Sequence, residues 1–247
     1  MVSCFHVCSV IEQQRIIIKN KYGESLVGVL HETGSTQVII LCHGFSSNKE
    51  SYINLSVADA LTKQGIIFDF SRMKRVIGGI LGHSKDRRLL LFTVFLKKFP
   101  LRRKYCALIY ASKYHDVPIV VNVSGCFDMK KVNEQHLGRD FMERIKENGF
   151  IDVKDKEGKI KFRLTEESLL ERLAIDMRAV CFSIAKDCRV FTVHGSEDDL
   201  VPVEDAFEFA KIIHNHKLHI VEGADHVFDN HQGELVEVVV SFVRESL

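Results

Sequence analysis

Short apolar, β-rich runs recur along this sequence: Val38 to Cys42, Ile66 to Phe70, Val76 to Leu81, Val117 to Val123, Arg189 to Val193 and Lys217 to Val221, with helical patterns between several of them. Runs that are apolar at successive rather than alternate positions belong to strands covered on both faces. A parallel neighbour is reached only through a long crossover, usually a helix, so such alternation specifies a mostly parallel sheet with helices on both faces. The fold class is therefore α/β. A chain of 247 residues, 46% hydrophobic and 27% charged, suits one domain spanning 1–247.

The coarse pattern adds detail around that sheet. Arg15 to Ile18 and Leu26 to Leu30 flank Lys21-Tyr22-Gly23-Glu24, which predicts an opening hairpin along one sheet edge. Lys49 to Gln64 reads as a helix stopped by Gly65, Val203 to Ile213 as another, and His231 to Arg244 as a closing amphipathic helix. Residues 127–187 break the alternation. They hold a helical run from Leu137 to Asn148, a hairpin around Lys156-Glu157-Gly158-Lys159 and a helix capped at Thr165-Glu166-Glu167-Ser168. They form an excursion from the sheet that can serve as a small lid.

Charge and cysteine content exclude several classes. The net charge is +1, yet between Arg72 and Lys104 eleven Lys or Arg face one acid, Asp86. That block lacks the aromatic interleaving and motif spacing of nucleic-acid binders, so no nucleic-acid partner is expected. The longest apolar stretch, Leu89 to Leu96, is far below the roughly 18 to 20 residues of a membrane span. Residues 1–10 show no basic leader followed by an apolar core, so the expectation is a cytoplasmic protein without integral membrane association. Seven cysteines without CxxC spacing indicate neither a disulfide framework nor a zinc site, and Cys42 and Cys126 read as core. His214, His216 and His219 crowd together without a carboxylate to complete a site, which fits a solvated strand entrance; no metal and no cofactor are expected.

Chemistry-bearing residues gather where strands end, the place where open α/β sheets hold ligands. The segments are Cys42-His43-Gly44-Phe45, Gly82-His83-Ser84-Lys85, His194-Gly195-Ser196-Glu197-Asp198 and Gly223-Ala224-Asp225-His226. A serine, an aspartate and a histidine appear in that order. In these segments, over residues 13–71 and 105–246, the sequence resembles the α/β-hydrolase superfamily. The likeness is to its plant and bacterial serine-hydrolase branch, related to prolyl aminopeptidases, monoacylglycerol lipases and feruloyl-type esterases. The resemblance implies Ser84 as nucleophile, Asp198 of HG-x-x-D-x-x-VP as orienting acid, and His226 as base. Backbone N–H groups of Phe45 and Lys85 would form the oxyanion hole. It also implies a small-molecule ester or acyl substrate and an acyl-enzyme. A serine hydroxyl becomes a useful nucleophile only when an imidazole takes its proton, and that imidazole needs a carboxylate to fix its tautomer. Asp199 and Asp225 are alternates for the carboxylate.

The pattern also departs from that family. The turn G-x-S-x-G should end in glycine, because the bend leaves no room for a side chain, and here Asp86 stands in that place. Only Ser71 to Arg75 separate the runs 66–70 and 76–81. Six Cα steps reach about 21 Å, whereas a parallel return two positions away needs about 22 Å. Asp86 to Lys104 is basic, contains Pro100 and has no 3.6-residue period, so it reads as an insertion. The expectation is a hydrolase altered by a deletion after residue 71 and an insertion at 86–104, as in an alternative transcript. The alternative function is then a catalytically impaired, hydrolase-like protein with a binding role or none. Asp198 and His226 should meet, and Ser84 is the member to be displaced.

Overall fold

The computed structural model describes residues 12–19, 25–32, 38–42, 52–63, 89–94, 106–154 and 157–246. In chain order the elements are β1 (Glu12–Lys19), β2 (Ser25–Glu32), β3 (Val38–Cys42), α1 (Tyr52–Lys63), β4 (Leu89–Val94), α2 (Cys106–Tyr114) and β5 (Ile119–Val123). There follow α3 (Met129–Leu137), α4 (Phe141–Asn148), β6 (Phe150–Lys154), β7 (Ile160–Thr165), α5 (Glu166–Leu173) and α6 (Met177–Phe182). The chain closes with β8 (Arg189–Gly195), α7 (Glu204–Ile212), β9 (His216–Val221) and α8 (Gln232–Ser246). Five strands lie side by side in the order β3-β4-β5-β8-β9, and every adjacent pair is parallel.

Strand β5 shows why the apolar runs dictate this arrangement. All five of its residues are buried, and its side chains alternate between two cores. Ile119, Val121 and Val123 join Phe191 and Val193 under α1 and α8, which contribute Leu61, Leu235, Val239 and Phe242. Val120 turns the other way and meets Val190, Ala107 and Leu108 of α2, Met177 of α6 and Phe209 of α7. The rings of Phe191 and Phe242 stack at 4.6 Å between centroids. Such a pair adds about 1 kcal/mol to the apolar burial of each ring.

The interior position between β3 and β5 is filled by β4, whose register runs Val38↔Leu89 to Cys42↔Thr93 on one side and Leu90↔Ile119 to Val94↔Val123 on the other. The segment read from sequence as an insertion therefore supplies a strand of the main sheet. Its run Leu-Leu-Leu-Phe-Thr-Val is continuous and β-compatible, which is what an interior parallel strand demands. Residues 43–88 give the β3-to-β4 crossover ample length. The predicted strands 66–70 and 76–81 lie outside the described residues.

Two further expectations change. β1 and β2 pair antiparallel over eight residues each, as a separate two-stranded sheet rather than an edge of the main one. The helix expected over 137–148 starts later, as α4 at Phe141: Leu137 is the last residue of α3, which the sequence reading did not assign, and Gly138, at φ +87°, ends it. A positive φ is costly for residues with a Cβ, so the glycine marks the break. Within 127–187, α4, α5 and β7 share a small core of Phe141, Ile145, Leu164 and Leu169. Thr165 caps α5 by accepting the Ser168 N–H at 3.4 Å.

A polar chain also crosses the sheet. Asn122 donates to Thr192 Oγ1 at 3.4 Å, and Thr192 Oγ1 lies 2.8 Å from His216 Nε2. His216 is thus partly buried rather than at a solvated entrance, and burial pulls its pKa down to about 4. As pH falls, the unfolded chain protonates this imidazole near pH 6.5 while the folded chain resists until about 4, so stability present above pH 6.5 is lost across that window. The full shift corresponds to about 3 kcal/mol, and partial solvent contact reduces it to about 2 kcal/mol. Urea unfolding at pH 7 and pH 4.5 should show His216→Gln losing about 2 kcal/mol less than the parent chain between the two conditions.

Candidate active site

The loops after β8 and β9 are tied into one unit by their backbones. Gly195 ends β8, and a Cβ there would sit 2.2 Å from the Ala224 carbonyl oxygen, so the position accepts only glycine without moving the second loop. Ser196 N–H donates to Val221 O and Glu197 N–H to Ala224 O, both at 3.0 Å. Gly223, at φ +71°, donates its N–H to Ser196 Oγ at 2.8 Å. Asp198 rides on the first loop and His226 on the second.

The Asp198 carboxylate is fully buried and surrounded by donors. Oδ1 accepts the N–H groups of Leu200 at 2.9 Å and Val201 at 2.8 Å. His226 Nδ1 lies 2.7 Å from Oδ2 and 2.9 Å from Oδ1. His194 Nε2, from β8, approaches Oδ2 at 3.1 Å. Burial by itself would push this carboxyl up. The bonds from His194 and His226, the nearby imidazole charge and the Val201 N–H outweigh it and hold the carboxyl well below its usual range. Asp198 is an anion in the folded protein at neutral pH, and His226, 9% exposed, has a fixed Nδ1–H tautomer because both facing atoms are carboxylate oxygens.

Ser124, directly after β5, reinforces this corner. It takes φ +48°, donates its N–H to Val193 O at 2.9 Å and directs Oγ to the His226 carbonyl at 3.3 Å. The excursion is fastened nearby. Asp205, at the start of α7, accepts Phe127 N–H at 2.6 Å and Asp128 N–H at 3.1 Å, and Cys126 hydrogen-bonds to the same carboxylate. His136 of α3 donates to Leu200 O at 2.8 Å. Burial raises the Asp205 carboxyl despite these donors.

Asp198 and His226 are thus brought together at the C-terminal rim of the sheet. The alternates are otherwise engaged: Asp225 Oδ1 caps a turn by accepting Asp229 N–H at 2.8 Å, and Asp199 is exposed. Ser84, Lys85, Phe45 and Asp86 lie outside the described residues. Cys126 is buried as expected of a core thiol, though beside a carboxylate rather than among apolar groups alone. His219 pairs with Glu234 at 3.0 Å, a carboxylate from α8 that local sequence spacing could not supply. Sequence reasoning assigned no role to His194 or Ser124. For His194 a signal existed, since a histidine four residues before an acid, across a glycine that bends the chain, can turn back upon it.

Comparison with solved structures places this architecture. Est1E from Butyrivibrio proteoclasticus superposes with a TM-score of 0.72 at 18% identity, covering 94% of this chain and 98% of that one. This chain has the α/β-hydrolase fold. The esterase domain of a Rhodothermus marinus protein follows at TM-score 0.66 and 16% identity, with 95% and 99% of the two chains covered. For the Pyrococcus furiosus esterase Pf2001 the values are 0.64 and 20%, with 95% and 90% covered. Est1E is also known with ferulic acid bound. No family model matches the sequence, and no curated protein matches it. Among the described residues of this α/β-hydrolase fold, no helix is long and apolar enough to cross a membrane.

Proposed function

We propose that this chain is a serine hydrolase that cleaves an ester or related acyl bond through an acyl-enzyme. The observation that carries this reading is the buried Asp198 carboxylate within 2.7 Å of His226 Nδ1 at the rim where an α/β sheet binds ligands. A carboxylate so placed makes the distal His226 nitrogen a base and stabilises the imidazolium that forms. In the proposed reaction Ser84 Oγ attacks the carbonyl carbon and its proton passes to His226. The N–H groups of Phe45 and Lys85 hold the oxyanion. The tetrahedral adduct collapses as His226 returns the proton to the departing alcohol, and water, deprotonated by His226, then releases the acid. The acyl group would lie between the strand ends and residues 127–187. The esterase neighbours support this class, and ferulic acid on Est1E points to an aromatic acyl group.

The test is hydrolysis of p-nitrophenyl acetate, p-nitrophenyl butyrate and methyl ferulate. The parent chain should turn over at least one ester with saturation, and His226→Gln should lower kcat by about 10³-fold or more. Folded protein inert toward all three would overturn the reading.

Chain order favours a second reading, a hydrolase-like protein that binds without turnover. Ser84 precedes β4, whereas Asp198 and His226 follow their strands, and all these strands are parallel. Five Cα steps from Ser84 to Leu89 span at most about 18 Å. The strand to be retraced is itself about 17 Å long.

A further inference from the structure

The imidazole of His194 is fully buried, and its two nitrogens stand in opposite situations. Nε2 faces two acceptors, Asp198 Oδ2 at 3.1 Å and Val201 O at 3.0 Å, so it carries a hydrogen. Nδ1 is buried and has no hydrogen-bond partner among the described residues. His194 therefore donates through its Nε2–H. A carboxylate offers about four lone-pair sites, and Leu200 N–H, Val201 N–H, His226 Nδ1–H and His194 Nε2–H occupy them.

We propose that His194 is a positioning residue: it locks the carboxylate of Asp198 in the rotation that presents Oδ2 to His226 Nδ1. The geometry suits this task. A cationic residue at the same place would compete for the carboxylate's charge, and an apolar one would leave an Oδ2 lone pair unsatisfied and the carboxylate free to turn. A single N–H donor at this place fixes the orientation in which Oδ2 faces the His226 imidazole. The proposal deepens the serine-hydrolase reading and rests on it for its catalytic consequence, while the coupling of the two imidazoles is observable without turnover.

The experiment is ¹⁵N-edited NMR of the histidine side chains in the full chain, pH 5 to 9, for the parent, His194→Phe and His194→Gln. In the parent, His194 should show an Nε2–H hydrogen-bonded to carboxylate, and His226 should show a slowly exchanging, low-field Nδ1–H. His194→Phe should broaden or abolish that signal and lower kcat about tenfold with KM unchanged, the scale of one hydrogen bond to a charged group. His194→Gln, whose amide restores a donor near the Nε2 position, should recover both. A His194 Nε2 that carries no hydrogen in the parent would overturn the proposal, and this measurement needs no variant to fold. So would a His226 Nδ1–H signal unchanged in His194→Phe. A chain with the NMR coupling but no turnover in any form would refute the hydrolase reading and leave the positioning role standing.

Discussion

Asp198→Asn should lower ester turnover by about 10⁴-fold while the chain still folds, the scale seen when a triad carboxylate becomes an amide. The reason lies in the four donors around the group. An amide accepts at its oxygen but presents two N–H groups of its own, so it matches only half of the present partners. Leu200 and Val201 N–H groups are fixed by the backbone and keep the amide oxygen at the Oδ1 position. The amide nitrogen then faces His226 Nδ1 and His194 Nε2. His226 must answer with a bare Nδ1, which moves its hydrogen to the distal nitrogen, where the proton of the nucleophile has to arrive. His194 keeps its Nε2–H on Val201 O, and the amide N–H that faces it is left without an acceptor among the described residues. Leaving that group unpaired costs about 2 kcal/mol of stability. Steady-state kinetics and urea unfolding of the one variant check both figures. Turnover within tenfold of the parent would mean that Asp198 does not fix the tautomer of the base.

The sheet was legible because its residues satisfy a local rule. Val117 to Val123 and Arg189 to Val193 are mostly apolar at successive positions, broken by Asn122 and Thr192, and strands buried on both faces need such runs. Leu89 to Val94 obeys the same rule, yet its basic flanks and lack of helical period made it read as foreign. Its place between β3 and β5 is decided by hydrogen bonding to residues far away in sequence, and no local pattern carries that information. The start of α4 was read too early for a smaller reason: Leu137 continues the apolar spacing of Phe141 and Ile145, although Gly138 to Asp140 separate it from α4.

In the candidate site, the order of motifs at strand ends pointed to Asp198 and His226. The other imidazole on the carboxylate left a weaker sign, its spacing of four residues before an acid across a glycine. His194 lies on the strand itself, where periodicity assigns it to the core, and it meets Asp198 only because the chain bends at Gly195, pressed against Ala224 from the neighbouring loop. Ser124 escaped notice for the same reason. Its bond runs to a backbone carbonyl on another loop, and its sequence neighbours give no sign of it.

The second large effect concerns the nucleophile. An activated serine reacts with a fluorophosphonate because the same imidazole that drives acyl transfer removes the hydroxyl proton, whereas an ordinary serine does not react at a useful rate. Ser84→Ala deletes that oxygen and little else, so labelling should fall to background, a loss of at least about 10³-fold. Asp198→Asn should slow labelling strongly while leaving the hydroxyl in place. The most direct measurement is therefore mass-spectrometric mapping of the fluorophosphonate adduct on the full chain. A single adduct on Ser84, absent in Ser84→Ala and slow to form in Asp198→Asn, is the predicted result. An adduct on another residue, or none on a folded chain, would contradict the claim that the Asp198–His226 pair activates Ser84.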